Sequence, residues 1–175
     1  MNINQILDIT PFNWISIITT LACGILVGVE RQIRRKPVGI RTASLITFGT
    51  YVFTAISISV NNDASDPSRI IGQVVTGVGF LGAGVMMTKD GTVVGVTSAA
   101  TIWVLAAIGV VVAVSPAVIA IKLAVMVIAI LYGVQLLESY VTSLMKRLQS
   151  GVKKWRHHDE KHLIDEKHLI DEKHL

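Results

Sequence analysis

Polar and apolar positions along this chain fall into blocks. Five stretches are long, apolar and almost uncharged: Phe12–Val29, Ala43–Val60, Ile70–Met87, Val96–Val114 and Ala117–Leu137. The first four hold no Asp, Glu, Lys or Arg, and the fifth holds only Lys122. Each approaches the ~20 residues that carry a helix across a ~30 Å hydrocarbon core. Backbone groups in lipid must pair within their own segment, which selects helix. The ~10-residue alternating segments of a membrane barrel are absent. The pattern predicts an all-α integral membrane protein with about five transmembrane helices. It divides the chain into a helical domain over 1–145 and a basic juxtamembrane segment with a repeat tail over 146–175.

The charges between these stretches predict an orientation. Arg31, Arg34, Arg35, Lys36 and Arg41 lie between the first two stretches, and Lys146, Arg147, Lys153, Lys154 and Arg156 follow the last. Positive residues favour the cytoplasmic side. The N-terminus is therefore expected outside and the C-terminus in the cytoplasm. A signal peptide does not fit, because Met1–Pro11 has no basic residue. Trp14 and Tyr140 suit interfacial anchors.

Composition agrees. Hydrophobic residues make up 51% and charged residues 16%, against about 25% charged in soluble domains. A disordered chain and a disulfide scaffold are both excluded, the second because Cys23 is the only cysteine. The net charge of +4 divides evenly. Residues 1–145 carry 8 basic and 6 acidic side chains, and 146–175 carry another 8 and 6. Nothing in that distribution marks a nucleic-acid site.

Candidate functional residues cluster at the predicted ends of the helices. Glu30 stands at the inner mouth of the first stretch, where an acid has no topological role. It either pairs with Arg34 one turn later or faces the bundle to meet Arg41 or a ligand. Arg31 and Thr42 lie in the same basic segment. Asp66-Pro67-Ser68-Arg69 reads as a helix start with Asp66 as N-cap, and Gln73 follows one turn beyond Arg69. Thr97, Ser98 and Thr101 open the fourth stretch. With Glu30, Arg41 and Asp90 they could line an inner vestibule, while Trp103 is expected to pack deeper. Gly24 and Gly28 form a small-residue face. Gly77, Gly79, Gly82 and Gly84 form another, and tight packing of stretches one and three, across a dimer interface in one version, is the expectation. The letters of a dinucleotide fingerprint in Gly77–Gly82 lie inside a membrane run and are rejected as such. Lys122, close to the outer end of its stretch, is expected to snorkel.

Enzymatic chemistry finds no residues. All five histidines follow the last stretch, so the membrane core has no His/Cys metal set and no nucleophile–histidine pair. No cofactor is expected. A hard cation such as Mg²⁺ could use carboxylates, and the candidates are Glu30, the one singled out, and Asp90 on the inner side, with Asp63 and Asp66 on the outer. The Asp-Glu-Lys-His-Leu-Ile repeat beginning at Asp159 rotates its apolar pairs by 240°, so it forms no apolar stripe. It reads as a solvated tail, preceded over Tyr140–Arg156 by an inner-leaflet amphipathic helix.

Four stretches together resemble the bacterial MgtC/SapB family. They are Gly28–Gln32 with Arg35–Thr42, Asp66–Ile70 with Gln73, Gly77–Gly84, and Gly95–Trp103. The resemblance implies an inner-membrane protein linked to low-magnesium adaptation and to virulence inside macrophages. Such proteins are often called Mg²⁺ transporters. The role the resemblance implies is instead regulatory, through membrane partners such as the F-type ATP synthase or small membrane peptides, and as a homo-oligomer. Longer members carry a cytosolic ACT-like domain after the helices, and here the repeat tail stands in that place. A transporter or channel with a cytoplasmic-side site near Glu30 is the alternative expectation.

Overall fold

The computed structural model describes residues 8–60 and 68–171. These form five helices and one short hairpin: α1 (Trp14–Ile33), α2 (Ile40–Ser59), α3 (Ser68–Gly84), β1 (Met87–Lys89), β2 (Thr92–Val94), α4 (Val96–Val114) and α5 (Ala117–Asp171). Residues Met1–Ala129 form one compact unit and Ile130–Leu175 a second.

In the first unit α2 lies between α1 and α4, and glycine sets both contacts. A Cβ at Gly24 would stand 2.6 Å from Ser44 Cα, and one at Gly28 would stand 2.6 Å from Ile40 Cα. On the other side, a Cβ at Gly109 of α4 would lie 2.5 Å from the Thr47 carbonyl oxygen. Backbones approach this closely only where a side chain is missing. Gly24 and Gly28 therefore pack α1 against α2 and not against the third stretch. Lipid offers no hydrophobic drive for helix association, so close packing and interhelical hydrogen bonds must supply it.

Buried threonines complete this interior. Thr19, Thr50, Thr54 and Thr101 each donate to a carbonyl one turn back, at 2.7–2.8 Å. A hydroxyl satisfied by its own helix is cheap to bury. Thr47 differs, because its hydroxyl also reaches the Thr20 carbonyl of α1 at 3.0 Å. Ile102, Leu105 and Ile108 of α4 and Val27 of α1 fill the apolar core. The start of α5 adds Ala120 and Ala124 to it.

Both ends of α1 are fixed locally. Asn13 caps the start, its side chain accepting from Ile15 N–H at 2.8 Å. Asn13 N–H donates to the Tyr51 hydroxyl of α2. At the other end, Lys36 N–H donates to the Arg31 carbonyl and Arg35 N–H to the Gln32 carbonyl. That pair of bonds is a Schellman motif, with Arg35 (φ 53°) in the left-handed position usually held by glycine. Gln32 Oε1 then accepts from Ile40 N–H and so caps the first turn of α2. Val38 is buried at φ 70°, a costly conformation for a β-branched residue. The basic segment is thus a tightly folded turn.

The all-α membrane fold of five helices is as expected, and two other expectations change. Among the described residues, four helices are long and apolar enough to cross a membrane: α1, α2, α4 and Ala117–Ser143 of α5. As described, α3 is 17 residues long, or about 26 Å at 1.5 Å per residue, and does not join them. The third apolar stretch does not run as helix to Met87. It ends at Gly84, and Met87–Lys89 pairs antiparallel with Thr92–Val94 around Asp90 and Gly91. Both turn residues have positive φ (50° and 77°), as a two-residue type I′ hairpin requires. Trp103 does not pack inside: it is 52% exposed, on the opposite face of α4 from Ile102 and Leu105.

In the second unit α5 continues as helix to Asp171. Leu136, Leu137, Tyr140 and Val141 are exposed there, as expected of a helix bathed in lipid.

Candidate functional site

Two features of the first unit combine unusual chemistry with position. The first lies where the end of α1 meets the start of α4. Arg31 is the last inward-facing residue of α1, one turn beyond Val27 and Gly28, and is only 3% exposed. Its Nη2 donates to Ser98 Oγ at 2.5 Å. Ser98 belongs to the first turn of α4, whose N-cap Gly95 offers no side chain. Gly95 is needed for another reason, since a Cβ there would collide with the Val85 carbonyl at its φ of 94°. Arg31 Nε is buried without a hydrogen-bond partner. Beside it, Glu30 Oε1 lies 2.5 Å from Arg34 Nε in an i,i+4 ion pair. Neither Glu30 oxygen has hydrogen-bond geometry to any partner.

The second feature is a groove of about 980 Å³ between α2 and α3. Its α2 wall includes Leu45, Gly49 and Phe53, and its α3 wall includes Gly77, Val78 and Leu81. Thr42, Arg69 and Gln73 supply polar groups along it. Helix α3 meets α4 at Gly82, where a Cβ would make ordinary contact with Ala99 at 3.6 Å.

The predicted residues therefore divide. Glu30, Arg31 and Ser98 come together at the α1–α4 junction, with Glu30 paired to Arg34 rather than to Arg41. Thr42, Arg69, Gln73 and Gly77 share the groove. Arg41 and Thr97 are exposed, and Asp90 is exposed at the hairpin tip, so these three do not enclose a vestibule with Glu30. Asp63 and Asp66 lie outside the described residues. Of the third-stretch glycines only Gly82 is packed. A Cβ at Gly77, Gly79 or Gly84 would meet nothing within 4 Å, so tight packing along that face is not what the fold uses within one chain. Lys122 is exposed. Among the described residues no group of three or more His, Cys, Asp or Glu could hold a metal ion.

Sequence reasoning missed Gly109 and Gln32. A lone glycine in an apolar run gives no pattern, and the role of Gln32 appears only once the α1–α2 turn is formed.

The family model described as the MgtC family matches residues 17–140. The chain belongs to the MgtC family. As a member it is a multi-pass membrane protein. YhiD of Escherichia coli (strain K12), provisionally named a magnesium transporter, is 47% identical over 103 residues, covering 55% of this chain and 47% of YhiD. Protein MgtC of Salmonella typhimurium (strain LT2) is 42% identical over 96 residues, covering 55% of this chain and 41% of that protein. An uncharacterized protein of Haemophilus influenzae is 40% identical over 99 residues, 51% of this chain and 42% of its own. The chain spans about half the length, or less, of the curated MgtC-family relatives it matches. The names these relatives carry are not those of enzymes. No solved structure matches the chain.

Proposed function

We propose that this MgtC-family protein is a non-enzymatic regulator in the bacterial inner membrane, with its N-terminus outside and its C-terminus in the cytoplasm, that acts by receiving a transmembrane helix of a partner. The observation that carries this reading is the groove between α2 and α3. Its volume of about 980 Å³ accommodates roughly two turns of a helix ~10 Å across. Gly49 and Gly77 on its walls allow a foreign backbone to come close, which is how membrane helices associate. Thr42, Arg69 and Gln73 offer hydrogen bonds that fix register. The F-type ATP synthase is the partner we put first, with low-magnesium adaptation and virulence as the setting. Small membrane peptides and a second copy of the chain are the other partners of suitable form.

Inverted membrane vesicles test this. ATP synthesis should fall when the protein is present, and Gly77→Leu should relieve the inhibition while leaving the protein inserted. Unchanged synthesis with and without the protein removes the ATP-synthase version.

Transport of Mg²⁺ through a site at Glu30 is the second reading. It is favoured by the buried Glu30 oxygens without hydrogen bonds and by the provisional name of YhiD. Against it stand Arg34 at 2.5 Å and Arg31 next in the chain. Two guanidinium groups beside one carboxylate leave a positive field that repels a dication. Purified protein in liposomes that moves Mg²⁺ down a gradient, with loss in Glu30→Gln, would reverse this ranking.

A further inference from the structure

The junction of α1 and α4 is electrostatically incomplete. The amino end of a helix carries about half a positive charge, and α4 begins there without a capping side chain. Its hydrogen-bond ladder opens with Ala99 N–H donating to the Gly95 carbonyl. The N–H groups of Val96, Thr97 and Ser98 therefore stand ahead of the ladder. Into this positive end the fold sends a cation, the Arg31 guanidinium, 97% withdrawn from solvent and held by Ser98 Oγ. A cation at the amino pole of a helix is the reverse of the favourable arrangement. Burying a cation there is costly unless further negative charge meets it.

The nearby acid offsets this only in part. Adjacent helical residues do not face each other, and the Glu30 carboxylate is engaged by Arg34. One acid and two guanidinium groups leave the cluster positive. One donor of the Arg31 fork, Nε, is buried and unused. Guanidinium Nε–H beside Nη–H is the edge that grips an oxyanion with two parallel bonds.

We propose that the α1–α4 junction binds a phosphate-type oxyanion, held by Arg31 Nε and Nη2, Ser98 Oγ and the first N–H groups of α4. A free phosphate and the phosphate of an anionic lipid headgroup share this chemistry. The junction is at the membrane face that carries Arg34, Arg35 and Lys36, where both are within reach. The proposal is independent of helix docking in the α2–α3 groove, which lies on other residues.

Thermal unfolding of the full chain in nanodiscs tests it. One arm uses phosphatidylcholine discs with inorganic phosphate titrated in. The other uses discs containing phosphatidylglycerol without phosphate. A rise in Tm in the first arm assigns a free anion, and a rise in the second alone assigns a lipid headgroup. In whichever arm responds, Arg31→Gln should weaken the apparent affinity by about tenfold or more, the worth of one charge-assisted hydrogen bond. Ser98→Ala, a milder change that keeps the arginine, should weaken it in the same direction. Glu30→Gln should strengthen it, because it removes the competing negative charge. Lys36→Gln, which removes an equal charge from the same face, should leave it near wild type. Absence of any rise in both arms overturns the proposal. So does a loss in Lys36→Gln as large as that in Ser98→Ala, which would show a diffuse surface field. If Arg31→Gln does not fold, the Ser98→Ala, Glu30→Gln and Lys36→Gln set decides alone.

Discussion

The α1–α2–α4 packing and the α2–α3 side are built from similar residues and behave differently. Gly24, Gly28 and Gly109 each stand where a Cβ would come within 2.6 Å of a neighbouring backbone atom. Gly72, Gly77, Gly79 and Gly84 of α3 have nothing within 4 Å of the equivalent position. On the packed side glycine is a contact already made. On the open side it is a contact still available, beside a groove that no other described part of the unit fills. Counting glycines in a membrane helix therefore says little until it is known which of them already touch something.

The comparison can be broken most severely at its tight end. Gly109→Val should destabilise the protein by about 3 kcal/mol or more, because the Thr47 carbonyl and Tyr51 backbone cannot move aside cheaply. Gly79→Val should change stability by less than about 0.5 kcal/mol, as surface changes away from special features do. Unfolding in detergent micelles reads both, and equal effects would erase the distinction between the two sides. Thr47→Val is the next step down. It keeps the shape and removes the bond to the Thr20 carbonyl, so a loss of about 1 kcal/mol is expected in the same assay. Arg35→Gly should act in the opposite direction. Its left-handed backbone favours glycine, and a gain of up to about 1 kcal/mol is expected where the Schellman turn closes the packed side. The smallest effect lies ahead of α1. Hydrogen bonds from the Thr10 hydroxyl and N–H hold the Asp8 carboxyl below the usual carboxylate range. A depressed folded pKa stabilises above the ordinary carboxylate pKa, and that contribution fades as pH falls through the lowered value. Asp8→Asn should flatten this slight acid-side slope in Tm, with its small loss of stability seen at neutral pH, where the contribution is fully present.

Much of the helical order was legible because charge is so sparse. Val96–Val114 was read to the residue, and α1 and α2 to within a few positions, since uncharged runs bounded by charges leave little choice. The third stretch was overrun for the same reason. Met86 and Met87 are as apolar in a strand as in a helix, and only Asp90-Gly91 between Thr-Lys and Thr-Val-Val signals the hairpin. At the junction, Arg31 was legible as a candidate and Ser98 as part of a hydroxyl cluster. Their bond was not, because it joins residues 67 apart and depends on where α4 docks. Trp103 shows the limit of depth as a guide: a position well inside an apolar run still has an outer face, and a tryptophan there can point to lipid as easily as to the core.

The separation of Arg31 from Ser98 also sets an order of assembly. The α1–α2 hairpin has all it needs once Ser59 is made: the Schellman turn, the Gln32 cap, the glycine contacts and the Thr47–Thr20 bond are all local. Arg31 must wait for Ser98, 67 residues later, or roughly 3–13 s at ordinary rates of synthesis. A guanidinium cannot enter the interior alone for that long, so this end of α1 stays hydrated until α4 arrives. Docking of α4 is therefore the step expected to draw the arginine inside.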